Sequence, residues 1–291
     1  MSLWTYLQLP FAQHALLAGA MVAVTCGLIG PFVVTRRMAF AVHGASELAF
    51  TGAAAGLLIA NDAVLGALGG AAVVAALIGV LGVRERERDS AIGVVLAAGM
   101  GLGVLLLSYY HGFATAATNI LFGDIFGVST GQLVLLLAIG VTVVIVMAII
   151  YRPLLFASVD PDVAVARGVP VRLLGLVFLF VLAFTVTEAA QVVGTLLVLS
   201  LAITPAAAAQ RLARSPMAVV GLSIGFALAA AEGGLLASLE SNTVKPTVFI
   251  TGISFAIYVA ARIVGPRLSV RRRMVALPAE GRQASGREAI S

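Results

Sequence analysis

Apolar stretches of roughly twenty residues recur along the whole of this 291-residue chain, and each can cross the ~30 Å hydrocarbon layer of a bilayer as a helix. Nothing else in the sequence constrains the fold as strongly, because a backbone inside lipid must satisfy its own hydrogen bonds. Only helices and closed barrels do so. Barrel strands alternate apolar and polar residues, and these stretches do not. Hydrophobic residues make up 61% of the chain and charged residues 11%, less than half of the roughly one quarter usual in soluble domains. The expected class is all-α, a polytopic transmembrane helical bundle.

About nine spans, with eight as the neighbouring possibility, fit residues 13–34, 38–60, 63–83, 90–110, 131–150, 172–188, 191–212, 217–237 and 246–264. The arginines test that count. They follow the first span (Arg36, Arg37), the third (Arg84, Arg86, Arg88), the fifth (Arg152, Arg167, Arg172) and the seventh (Arg211, Arg214). Others stand at or beyond the end of the ninth (Arg262, Arg267, Arg271–Arg273 among them). With the N-terminus outside and the C-terminus inside, every arginine falls on the cytoplasmic side. The opposite connections carry Asp62, Asp124, Glu188 and Glu240 against a single base, Lys245. This acidic mouth attracts cations, although ordinary solvation explains any one of its residues. Residues 1–265 read as a transmembrane domain, and 266–291 as a basic cytoplasmic tail without stable structure.

Other classes fall away. The excess of arginine is a topology signal, so the net charge of +5 does not argue for nucleic acid. The only cysteine, Cys26, lies in an apolar run and reads as a packing residue. The first residues carry no basic run or small-residue cleavage site, so a cleaved leader is not expected. There is no HExxH motif. A phosphate-binding loop ending GK[ST] is impossible where the sole lysine precedes Pro246. Any ATP driving this chain is hydrolysed elsewhere.

Three segments are more than spans or turns. Residues 117–130 read as a short helix and a turn at Gly127 on the outer side. In the cytoplasmic connection 151–172, Asp160 or Asp162 caps a short helix that runs to Arg167 and ends at Gly168 and Pro170. Such a helix suits partner docking, and a solvated loop is the plain alternative. In the second span, His43 and Glu47 are four residues apart and share a helix face. Ten residues beyond Arg37 put Glu47 about 15 Å deep, near mid-membrane. An ionisable group there costs about 2.5–3.5 kcal/mol, so it faces a cavity or a partner. An imidazole and a carboxylate together suit a borderline divalent cation; a structural hydrogen bond between helices is the other reading.

Five blocks resemble the permeases of ATP-binding-cassette importers for zinc, manganese or iron(II): RRMAFAVHGASELAFTGAA (36–54), LFGDIFGVST (121–130), SVDPDVAVARGV (158–169), VVGTLLVLSLAITPAAAAQRLARSP (192–216) and, more loosely, GGLLASLESNTVKPTV (233–248). The resemblance implies a homodimeric permease in the bacterial cytoplasmic membrane. It also implies two cytosolic ATPase subunits and an extracytoplasmic solute-binding protein that delivers the metal. On that likeness residues 160–168, among them Asp160, Asp162, Ala166, Arg167 and Gly168, fit a cleft on the ATPase. The second-span block lines the path near the dimer axis, which in this chain means His43 and Glu47. The family usually has Asp, three residues, then His at these positions, so both identities differ while the spacing is kept. The acidic residue usual in the penultimate loop aligns with Asn242.

Glu188, Glu232 and Asp124, with His111, are candidates for an outer acidic vestibule. Glu188 and Glu232 each lie about 24 Å from the cytoplasmic start of their spans. Gly194 and Pro205 permit close packing and a helix break, or form a gate. No permanently bound cofactor is expected. The cargo is a divalent metal: zinc on the strength of the imidazole, with manganese or iron(II) as alternatives. A self-contained secondary carrier using Glu47 and Glu232 is the competing class.

Overall fold

The computed structural model describes residues 8–81, 85–110, 123–195, 198–241 and 244–276. They form α1 (Pro10–Thr35), α2 (Ala39–Ala60), α3 (Ala63–Leu81), α4 (Glu85–Ser108), a 3₁₀ turn (Ile125–Gly127), α5 (Thr130–Val159), α6 (Pro161–Ala166), α7 (Val171–Val193), α8 (Val198–Ala202), α9 (Thr204–Leu212), α10 (Pro216–Ser241) and α11 (Pro246–Ala276). Among the described residues there is no strand, as the composition requires. Six helices there are long and apolar enough to cross a membrane: α1, α2, α5, α7, α10 and the first part of α11. Three shorter apolar segments, Ala63–Gly79, Ile92–Ser108 and Val198–Leu212, occupy the remaining expected spans.

Lipid tails are as apolar as leucine, so burying large side chains gives little drive for helices to associate; close backbone approach and dispersion do the work instead. Small residues accordingly make up half of the buried residues of α1: Ala12, Ala15, Ala18, Gly19, Ala23, Gly27 and Gly30. At Gly27 a Cβ would stand 2.6 Å from the Ile224 Cα of α10. The α2–α3 seam is tighter still. A Cβ on Gly52 would lie 2.5 Å from the Gly66 carbonyl oxygen and 2.8 Å from the Gly70 Cα. Many large apolar side chains point outward, as with Val134, Ile145 and Ile149 of α5. On a water-soluble protein that face would be an aggregation hazard; here it meets lipid.

The connections sort into two ends. At the arginine end, Arg36 donates to the Ser158 hydroxyl (3.5 Å) and its guanidinium lies over the Phe178 ring (5.7 Å). The Gln210 amide donates to the Pro31 carbonyl oxygen (3.3 Å). At the acidic end, Phe11 meets Phe126 edge-on at 5.8 Å, and the Asp124 N–H donates to the Gln191 carbonyl (3.5 Å).

Two expectations need correction. The seventh span is not one helix. α7 runs on to Val193, five residues past its expected end, and stops at Gly194, whose φ of 98° is barred to residues with a Cβ. Helix resumes in α8 and, after a break at Ile203, in α9 with Pro205 in its first turn. In the outer connection a 3₁₀ turn ends at Gly127, and the short helix expected before it falls, with His111, on residues 111–122, outside the described residues. The last helix continues past 265 to Ala276, because RLSVRRRMVA after Pro266 is free of glycine and proline.

Candidate functional site

α2 starts from a tight reversal. Arg37 sits at φ 54° and Met38, 4% exposed, plugs the turn, so α2 enters the bundle directly after α1. Helix is then continuous through both candidate residues. His43 is half-buried, its ring 6.4 Å from that of Phe40, and its Nδ1 is buried without a hydrogen-bond partner. Glu47 is 4% exposed. Four residues apart on an unbroken helix, the two share one face. Neighbouring contacts explain why this stretch cannot drift. Ser46 Oγ turns back onto the His43 carbonyl (2.8 Å), Thr51 Oγ1 donates to the Gly99 carbonyl of α4 (2.7 Å), and Gly44 admits Ile92.

A cavity of about 270 Å³ opens toward the acidic end beside this helix. Its wall takes Ala49 and Ala53 from α2, Ala67 from α3, Gln132 from α5, Thr187 and Gln191 from α7, and Thr195, with Asp124 at its edge. Thr187 and Thr195 are buried, and neither hydroxyl has a hydrogen-bond partner. A buried hydroxyl without a partner is unfavourable unless water or a ligand supplies one. Sequence reading passed over these positions. Their signal is the Thr187–Gln191 pair, four apart in a mostly apolar helix.

The acidic candidates separate. Asp124 is exposed and caps the 3₁₀ turn, accepting from the Gly127 N–H at 3.0 Å. Glu188 is 1% exposed with both carboxylate oxygens unpartnered. Glu232 is half-buried, and its Oε1 lies 3.4 Å from where a Gly19 Cβ would be. Among the described residues no group of three or more His, Cys, Asp or Glu could hold a metal. A ligand set in this fold therefore needs water, hydroxyl or carbonyl donors, or a second copy of the chain.

At the arginine end α6 projects from the bundle. Asp160 caps it, accepting from the Val163 N–H (3.0 Å), and Pro161 occupies the first turn. Arg167 closes the helix, and Gly168 takes the left-handed conformation (φ 78°) that ends it. Ala164 is buried, anchoring α6 against α5 and α7. Val163 and Val165 are exposed, as are Asp162 and Ala166.

A family model described as the ABC 3 transport family matches residues 8–265. The chain belongs to that family. The ABC 3 relatives are similar along nearly their whole length. The "Manganese transport system membrane protein MntC" of Halalkalibacterium halodurans is 29% identical over 264 residues, covering 90% of each chain. The "High-affinity zinc uptake system membrane protein ZnuB" of Haemophilus influenzae is 28% identical, covering 81% of this chain and 91% of that one. The solved structure "PsaBC from Streptococcus pneumoniae in complex with Fab" superposes with a TM-score of 0.80 at 26% identity, over 89% of this chain and 94% of the other. The ABC 3 fold is thus the fold found here.

Proposed function

We propose that this chain is the permease subunit of an ATP-driven importer that carries a divalent transition-metal ion across the bacterial cytoplasmic membrane. The observation that carries the reading is the α2 pair: a buried carboxylate and an imidazole nitrogen without a partner, on one face of a helix held immobile by glycine seams. Relatives named for manganese and for zinc support a metal cargo. The imidazole favours zinc, since nitrogen ligands suit Zn²⁺ better than the harder Mn²⁺. Iron(II) is carried by the same chemistry with less preference.

Two donors are too few to hold an ion firmly, which suits transport, where the ion must also leave. In a homodimer with α2 near the axis, two His43–Glu47 pairs offer four donors. The acidic end receives the metal from a solute-binding protein, and the cavity beside α2 passes it inward through hydroxyl and amide oxygens. The arginine end is cytoplasmic, with the N-terminus outside. There α6 seats in a cytosolic ATPase, one on each permease copy, so hydrolysis occurs on a separate subunit.

The test is reconstitution of the permease with its ATPase and solute-binding protein. ATP hydrolysis should rise when the metal-loaded solute-binding protein is added, and the permease alone should show none. Comparing Zn²⁺, Mn²⁺ and Fe²⁺ ranks the cargo. Metal uptake driven by a pH gradient without ATP would overturn the reading in favour of a secondary carrier.

A further inference from the structure

α9 and α11 meet at the arginine end through a glycine. A Cβ on Gly265 would stand 2.9 Å from the Arg211 carbonyl oxygen, so the two backbones touch there. This contact brings Arg211 of α9 beside Tyr258 and Arg262 of α11. The Arg211 guanidinium lies 5.7 Å from the Tyr258 ring centroid, and Arg262, four residues on from Tyr258 in α11, shares its helix face. Both arginines are exposed, and no carboxylate partner is recorded for either among the described residues. Two cations gathered beside one neutral phenol repel each other unless an anion sits between them. Planar guanidiniums with outward N–H groups match a phosphate, each by two parallel hydrogen bonds.

The surroundings say which phosphate. Beside and above the cluster, Val248, Phe255, Val259 and Ile263 form an exposed apolar stripe along α11. From residue 248 to 262 the helix rises about 21 Å, more than the ~15 Å depth of one leaflet. A free phosphate would use the arginines and ignore the stripe, whereas a phospholipid uses both. We propose that Arg211, Tyr258 and Arg262 form a binding site for the phosphate of an anionic phospholipid in the cytoplasmic leaflet, its acyl chain lying along the α11 stripe. The lipid clamps α9, the end of the broken seventh span, to α11. The site is independent of the metal path.

Native mass spectrometry of the full chain, released from nanodiscs of mixed phosphatidylglycerol and phosphatidylcholine, tests this directly. The wild type should retain phosphatidylglycerol about tenfold or more over phosphatidylcholine, from two arginine contacts near the surface. R211Q/R262Q should bring that preference to within about twofold, and Tyr258→Phe should fall between, since it removes only the phenol oxygen as a further phosphate partner. Arg152→Gln, an exposed arginine outside the cluster, should leave the preference unchanged. Equal retention by R211Q/R262Q and wild type would overturn the proposal. So would displacement of the lipid by millimolar inorganic phosphate, which would make this a free-anion site. A change in the number of chains per particle with no change in lipid would instead make the face a contact between copies.

Discussion

α2 and α6 are built on opposite plans. α2 buries its candidate residue: Glu47 is 4% exposed, and glycines at 44, 52 and 56 pack the helix closely against α4 and α3. α6 displays its candidate residues: of its six residues only Ala164 is buried, and Val163 and Val165 face outward from a helix fixed by its two caps. Fixing α2 takes a long helix and backbone contact on two sides, whereas a capped single turn suffices for α6. Damage should therefore spread from α2 to the whole bundle and stay local at α6.

The largest effect expected from breaking this contrast is at the seam. Gly52→Leu puts a branched side chain where even a Cβ meets backbone, and no folded permease should survive detergent extraction and size-exclusion chromatography. A monodisperse peak would show that the seam can open. Next comes Val163→Asp with Val165→Asp, which should abolish ATPase stimulation while the permease elutes and melts like the wild type. Loss of folding there would contradict the local character of α6. Smaller effects should follow from the caps. Gly168→Ala forces φ 78° on a residue with a Cβ, and Asp160→Ala removes the cap of α6; each should weaken that turn by about 1 kcal/mol. Hydrogen exchange of residues 160–168 reads this, and unchanged protection would mean that the caps are not what holds it. Smallest is Thr187→Val. Its hydroxyl has no protein partner, so global stability should move by less than about 0.5 kcal/mol. A larger loss would reveal a hidden partner.

Much of this was legible in the sequence for a physical reason. Apolar length and arginine placement reflect the bilayer, an environment outside the chain, so the helical class and both ends could be read one segment at a time. The caps of α6 are local too, since Asp160, Pro161 and Gly168 each act within a turn. What could not be read depends on neighbours distant in sequence. The break after Val193 needs Gly123 pressed against it, where a Cβ would stand 2.5 Å from the Gly194 nitrogen. Glu188 counts as outer by residue number, yet α7 is surrounded by α1, α2, α3 and α5, and its carboxylate is buried. The cavity wall gathers Gln132, Thr187 and Thr195 from segments far apart in the chain. No single stretch announces it.

The central claim is that the α2 pair passes the metal. Its most direct measurement is ATP-dependent zinc uptake into vesicles holding the whole transporter, with His43→Ala and Glu47→Gln compared in assembled complexes of wild-type composition. Both variants should lose uptake while keeping assembly and ATP hydrolysis by the partner. Uptake at the wild-type rate in either would contradict the account.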